Sequence, residues 1–406
     1  MAVPWPVATA ASPSPREEVM QSRVVWGLVL ATAVLALVAV AVFTPSIWSL
    51  SDKGASSGSL NISWFVYRDV NRNGIYDLAD RPYAGLPVQL TRPDGSARTH
   101  HSNINGFANF KMSRDASAGV IHSAAPHTFT ARIPSQWEVT SGAREETVSF
   151  AERVGAPAGL IAERVMEPLG VAPVPRIVGQ VGGSAQRYAL RAIDPQGRAR
   201  RIELTRGGGF SLTGMEGVWQ LVRENLETGE ETRRDVTMGF YPQVLSAAYF
   251  SDRARAADGP VVTVRYDDLI TTNTVYEIPN GYRGLQWKNW LVTHNLFYQG
   301  AGYVNATVSS EFLAYNSSGH PARIAHDRPF DFEGSYIGVA WPQARRGRVH
   351  VKAYRGDQLV HHDQLQLDPR APVYFHAGYR GITAMEIFSE LYWQVVVDDS
   401  RFRLPR

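Results

Sequence analysis

Leu60, Ile62, Trp64 and Val66 recur at every second position, the period of a strand with one face buried. Pro82, Gly85 and Pro87 then exclude a helix, and Val88-Gln89-Leu90 reads as a second short strand. Pro93-Asp94-Gly95-Ser96 predicts a turn, and Asn105-Gly106 a turn leading into a strand over Phe107 to Phe110. Short strands are also predicted at Ile177 to Val181, Tyr188 to Ile193, Phe210 to Leu212 and Val218 to Val222, with Asp194-Pro195-Gln196-Gly197 as a turn. From Val262 to the end, strand-like alternation continues between Gly and Asn turns, and no long 3.6-period segment occurs. The pattern predicts an all-β fold of tandem β-sandwich modules.

One segment breaks the pattern. Val24 to Phe43 is uninterruptedly apolar, and roughly 20 such residues cross about 30 Å of hydrocarbon. A cleavable signal peptide has a shorter apolar core, followed closely by a small-residue cleavage site. Here Thr44-Pro45-Ser46-Ile47-Trp48 follows, and Trp26 and Trp48 sit where interfacial aromatics belong. An uncleaved signal-anchor over 24–48 is expected, a single N-terminal transmembrane helix. Arg16 and Arg23 precede the span and only Lys53 follows it closely. The positive-inside bias then leaves a disordered cytoplasmic tail at 1–23 and the bulk of the chain outside the plasma membrane.

Behind the anchor, 49–58 reads as a Gly/Ser linker. Composition suggests modules at 59–168, 176–248 and 261–406, with a Gly/Ala/Pro-rich boundary from Gly155 to Pro175 that holds a short amphipathic turn at Leu160 to Met166. There is no cysteine, which removes disulfides, thiolate metal sites and thiol nucleophiles together. The 41 basic and 38 acidic residues nearly balance, and no basic run interleaved with aromatics marks a nucleic-acid groove. Arg345-Arg346-Gly347-Arg348 reads as a solvated hairpin turn.

The densest chemistry lies at Asp69 to Asp80. Asp69, Asn71, Asn73, Asp77 and Asp80 place side-chain oxygens at positions 1, 3, 5, 9 and 12 of a loop, with Gly74 at position 6 and the Ile75 carbonyl at position 7. Calcium takes six to eight oxygen ligands in flexible geometry, and this spacing delivers them from one segment. Asp80 stands where Glu is usual and is one methylene shorter. The competing reading is a solvated Asn/Asp/Gly turn. Strands rather than helices flank the loop, so it is not an EF-hand and would staple a sandwich.

Val66-Tyr-Arg-Asp69-Val-Asn71-Arg-Asn73-Gly74, Ala84 to Leu90, Asn105 to Phe110 and Ile133-Pro134-Ser-Gln-Trp137-Glu-Val139-Thr140 resemble the SdrD B-like repeats of bacterial surface adhesins, cousins of collagen-adhesin B-type immunoglobulin-like modules. The resemblance covers roughly 58–150. It implies a calcium-stabilised stalk and carries over Asp69, Asn71, Asn73, Asp77 and Asp80 as ligands. Arg81-Pro82-Tyr83 departs from the acidic residue and Gly found there in the family. Gly209 to Leu212 with Gly217-Val218-Trp219 is faintly similar to transthyretin-like or carboxypeptidase-regulatory-like modules. The C-terminal motifs Ile278 to Trp290, Gly302 to Asn305, Ala340-Trp341, Val349 to Tyr354 and Trp393 to Asp399 resemble an uncharacterised jelly-roll domain of secreted bacterial and fungal proteins, similar to carbohydrate-binding modules.

Tyr282, Trp287, Trp290, Tyr303 and Trp341, with Tyr315 and Trp393, make that third aromatic-rich. On an exposed face they would stack on sugar rings; otherwise they fill the core. Asp267, Asp268, Asp398 and Asp399 come from its opening and closing strands and form a second candidate metal site if those ends pair, solvated carboxylates being the alternative. Asp331 and Glu333 share a strand face and read as an exposed pair. His361 and His362, like His100 and His101, are adjacent on strands and point to opposite faces, so neither pair chelates a metal. No catalytic motif is present. The sequence therefore predicts a non-enzymatic, membrane-anchored surface protein with a calcium-rigidified stalk, whose C-terminal module contacts a polysaccharide or an envelope protein. A purely structural or protein-contacting scaffold is the alternative, and a hydrolytic envelope enzyme a third.

Overall fold

In the computed structural model the first strand, Ser59–Arg68, buries Ile62, Trp64 and Val66 and leaves Ser63 exposed. It pairs antiparallel with Phe107–Ser113 and, farther along, parallel with Leu169–Pro173, which in turn pairs with Trp137–Ser141. A second sheet, in the order Ala97–His101, Pro87–Thr91, His127–Ala131 and Glu145–Val148, supplies the other half of the first module's core. Trp64, Val88, Phe110, Phe129 and Val171 meet between them. The sheet runs on to Pro173 because Leu169–Pro173 is buried at all five positions. A strand covered on both faces shows no alternation, and its Gly and Pro content reads as a boundary.

The structure describes residues 59–113, 126–152, 160–162, 166–344 and 347–406. The predicted tail, anchor and linker lie outside these residues, as do Arg345 and Arg346 and part of the predicted turn at Leu160 to Met166, of which Leu160–Ala162 is a strand. No helix of the described residues is long and apolar enough to cross a membrane. All described residues belong to one compact unit, Ser59–Arg406.

The middle module packs a four-stranded antiparallel sheet, Ala199–Ile202, Tyr188–Ile193, Gly217–Asn225 and Glu231–Met238, over the pair Arg176–Gln180 and Gly209–Thr213. Leu190, Phe210, Trp219, Leu221 and Val236 fill the space. Its sheet does not stop at the module's edge. Arg176–Gln180 pairs with Gln243–Leu245, which pairs with Val373–Ser389 of the C-terminal module. There the long strands Ala322–Val339, Val373–Ser389 and Val395–Arg403 form the centre of a thirteen-stranded sheet. The opening strand Val261–Val264 pairs with the closing one, Val261 opposite Arg403. The described chain is all-β with several sheets, as the alternation predicts.

Candidate functional site

The first strand ends in the loop at 69–80, and the chain folds there because its side chains satisfy its own backbone. Asp69 is fully buried; its two oxygens accept from Asn73 N at 3.1 Å and Gly74 N at 2.9 Å. Gly74 turns the chain with φ +77°, a value other residues reach only with strain. Asp80, also buried, closes the loop by accepting from Val70 N at 2.8 Å and Asp77 N at 3.0 Å. Asp77 is exposed, and the Asn71 and Asn73 amide groups both donate to its Oδ2, at 2.9 and 2.8 Å.

Electrostatics follow this geometry. The Ala79 N–H, then the Asn71 and Asn73 amides, hold the Asp77 carboxyl below the usual range. Burial pushes the Asp80 carboxyl up; the Asp77 and Val70 N–H groups oppose that, while the Asp69 and Asp77 carboxylates add to it. Two amides thus converge on one carboxylate oxygen where a cation would sit. Among the described residues no three His, Asp or Glu side chains are grouped to hold a metal. The oxygen donors of Asn71 and Asn73 instead accept from Asn73 N and Ile75 N. The donor types suit a hard cation once those amides turn over, since calcium takes amide and backbone oxygens beside carboxylates.

The second candidate metal site does not assemble. The end strands pair as required, and Asp267, Asp398 and Asp399 all reach the turn at 308–310, but that turn's own N–H and O–H groups hold them, and among the described residues they do not form a metal-holding group. Asp398 is buried and accepts from Val308 N and Ser309 N. Asp399 takes Ser309 Oγ and Arg265, and Asp267 takes Ser310 Oγ. Asp268 turns to Tyr282 Oη at 2.6 Å and Arg283 Nη2 at 2.7 Å. The Asp331–Glu333 pair is also not an exposed one. Asp331 is buried, accepting from Ala257 N and Gly381 N, and only Glu333 is half-exposed.

The predicted sugar platform is core. Trp287, Trp290 and Tyr303 are at most 3% exposed. Tyr282 and Trp341 are half-buried, and they belong to different clusters: Tyr282 packs with Trp287 and Trp290, Trp341 with Tyr303 and Tyr315. Two indole N–H groups are used internally, Trp287 Nε1 on Tyr282 O and Trp341 Nε1 on Gln394 Oε1. Five aromatics cannot form one stacking face from two separate interiors.

Sequence reasoning missed the junction where the three modules meet. Arg68, 1% exposed, donates to Asn305 O at 2.7 Å, Val304 O at 3.3 Å and Tyr241 Oη at 3.2 Å. Its Nε is buried with no hydrogen-bond partner among the described residues. Asn305, equally buried, donates to Ala84 O at 2.8 Å and Pro369 O at 3.1 Å and accepts from Ala84 N at 3.3 Å. Around them Val70, Ala172, Phe240, Tyr241, Val308 and Ala371 form a small apolar cluster drawn from all three modules. The 69–80 loop is tied to it through Val70 and through Arg72, which binds Glu138, Glu216 Oε1 at 2.7 Å and Pro173 O at 2.6 Å. A signal for Arg68 was present: it continues the inward phase of Ile62, Trp64 and Val66.

No family model matches the chain, and no curated protein matches it. Among solved structures it is similar to the Bacillus anthracis TIE protein, with 11% identity and a TM-score of 0.21 over 46% of this chain and 33% of that one. The chain thus corresponds to about a third of that protein's length, 33%. GBS52, the minor pilin of Streptococcus agalactiae, matches with 12% identity and a TM-score of 0.18 over 46% of this chain and 92% of its own. The CBM51-2 and INT domains of Clostridium perfringens ZmpB match with 11% identity and a TM-score of 0.20 over 48% and 38%. Overlays at these scores share too little backbone to carry an argument about function.

Proposed function

We propose that this is a membrane-anchored surface protein whose three β-modules act as one stiff presenting unit, with calcium in the 69–80 loop fixing the joint between them. The observation that carries the reading is the buried Arg68–Asn305 knot. Modules strung on flexible linkers keep their connections solvated and move relative to one another. Here two polar side chains, each 1% exposed, bond across module boundaries, and a sheet runs from the middle module into the last. The apolar run Val24 to Phe43 supports the anchor.

Calcium would be held by Asp69, Asn71, Asn73, Asp77, Asp80 and the Ile75 carbonyl, and would supply positive charge to carboxylates that otherwise repel one another. Because Arg72 and Val70 tie the loop to the junction, ordering the loop orders the joint. The role is binding rather than catalysis. Buried aromatics favour a protein-contacting or scaffolding surface on the C-terminal module. One feature favours a polysaccharide partner instead: a cleft of about 560 Å³ between modules, lined by Gln136, Trp137, Arg176 and Gln366 among others.

Hydrogen exchange of the full chain, in calcium and in chelator, tests the joint. Amides of 70–80 and 304–308 are expected to gain protection together in calcium. Identical exchange in the two buffers would sink the calcium-stiffened joint. A polysaccharide panel in the same buffers decides the partner: binding that the exposed-residue variants Gln136→Ala and Gln366→Ala abolish assigns the cleft, and no binding leaves the scaffold.

A further inference from the structure

Strand alternation separates His361 from His362 along Gln358–Gln366. His361 Nε2 lies 2.8 Å from Asp252 Oδ2, and its ring stacks on Tyr379. His362 faces the other way and meets a histidine twelve residues earlier. In the hairpin with Arg348–Arg355, Lys352 lies opposite His362 and Gln364 opposite His350. His350 and His362 are therefore diagonal neighbours on one face, a reach that long side chains bridge. His350 Nδ1 and His362 Nε2 are 2.7 Å apart.

The far side of His350 is fixed. Its Nε2 lies 3.2 Å from Glu390 Oε1, an oxygen that Arg348 Nε also holds at 2.9 Å. The ring stacks on Phe388 at 4.9 Å with 5° between planes, and the side chain is 11% exposed. A carboxylate that accepts the Nε2 proton leaves a lone pair on Nδ1, aimed at the second imidazole. This is the carboxylate–histidine arrangement that orients ligands to transition metals.

We propose that His350 Nδ1 and His362 Nε2 form a two-histidine chelate for a first-row divalent transition metal, Zn²⁺ in the first instance, with water completing the shell. Zn–N bonds of about 2.0–2.1 Å at a tetrahedral angle separate the two nitrogens by about 3.3 Å. The rings must open by roughly half an ångström from hydrogen-bond distance, a small rotation for the less buried His362. Imidazole nitrogen selects zinc, nickel and copper over calcium, so this pair and the oxygen-lined 69–80 loop do not compete for one ion. Two cations flank the site. Arg348 is neutralised on Glu390, and Lys352 Nζ is drawn over the Phe388 ring at 5.0 Å.

Titration calorimetry of the full chain with zinc chloride tests this, using wild type, His362→Gln, Glu390→Gln and, as control, the half-buried His326→Gln. His350 is too buried to be a clean first variant, whereas His362 lies nearer solvent and its loss leaves the strands intact. Wild type is expected to show a zinc-binding component that His362→Gln lacks, that Glu390→Gln weakens about 10–100-fold, and that His326→Gln leaves unchanged. Circular dichroism confirms that each variant is folded. No binding by wild type at millimolar zinc, or equal binding by folded His362→Gln, would overturn the site. Equal affinity in Glu390→Gln would remove the carboxylate's positioning part.

Discussion

Asn305→Ala tests the junction most directly. The side chain makes three hydrogen bonds, to Ala84 N, Ala84 O and Pro369 O, in a place where it and Ala84 are each 1% exposed. Truncation removes the partner from three backbone groups at once. A buried group left unpaired costs about 1–3 kcal/mol, so three of them cost about 3–9 kcal/mol if no water enters. Two of the three bonds, those to Ala84, cross between the first and C-terminal modules, and the third, to Pro369 O, holds Asn305 within its own module. Calorimetry of the full chain is therefore expected to show the first module melting earlier, as a separate transition. Asn305→Asp serves as the control: it keeps the acceptor for Ala84 N but aims a charged oxygen at two carbonyls, so it costs at least as much. A single transition with less than about 1 kcal/mol lost in urea melts would refute the knot as the joint's lock.

Three further outcomes are expected. Asp77→Ala removes an exposed carboxylate, so it should lower Tm little in chelator but clearly in calcium; equal shifts in both would exclude calcium at the loop. Asp69→Ala is less informative, because buried Asp69 holds Asn73 N and Gly74 N with or without an ion. Gly74→Ala, with φ +77° and the nearest atom 3.5 Å from the new Cβ, pays backbone strain alone, about 1–2 kcal/mol by urea midpoint; no loss would mean the turn is not fixed. Burial pushes the Asp398 carboxyl up to about 7, with Asp399 adding and the Val308 and Ser309 N–H groups opposing. The unfolded value is about 3.9, so the native state holds the extra proton between these pH values. Stability from this group then falls as pH rises from about 4 to about 7 and stays lost above that. Since asparagine does not titrate, the stability difference between wild type and Asp398→Asn should decline across that window; a flat difference would refute it.

Half-buried strands were legible because alternation records one wet and one dry face. Ile62, Trp64 and Val66 are buried in the predicted phase, and Gly74 turns where its position in the loop requires. Three kinds of residue were not legible. Leu169–Pro173 is covered on both faces, so its pattern carries no period. The aromatic positions Trp287, Trp290 and Tyr303 carry no mark that separates an exposed platform from a core, since the same residue types serve both. The four aspartates near the strand ends were correctly placed along the chain, but which partner each took depended on Arg265, Arg283 and the turn at 308–310, brought there only by folding. His350 and His362 belong to the same class, since only the cross-strand register makes them neighbours.

The junction uses both apolar and polar contacts, and the two do different things. Val70, Ala172, Phe240, Tyr241, Val308 and Ala371 remove apolar surface from water, but such burial is non-directional and tolerates sliding. Arg68 and Asn305 are directional. Replacing buried charged or polar groups by well-packed apolar ones often leaves a protein as stable or more so, which makes stability alone a poor reason for their presence. What they add is registry: Arg68 reaches Asn305 O and Tyr241 Oη together, and Asn305, held by Pro369 O within its own module, reaches Ala84, only when the three modules sit at one mutual angle. Arg72, on the 69–80 loop, extends that constraint to Glu138 in the first module and Glu216 in the second. A loop that gains order from an ion therefore acts on a joint whose angle is already specified, and its effect is to deepen one arrangement rather than to choose between several.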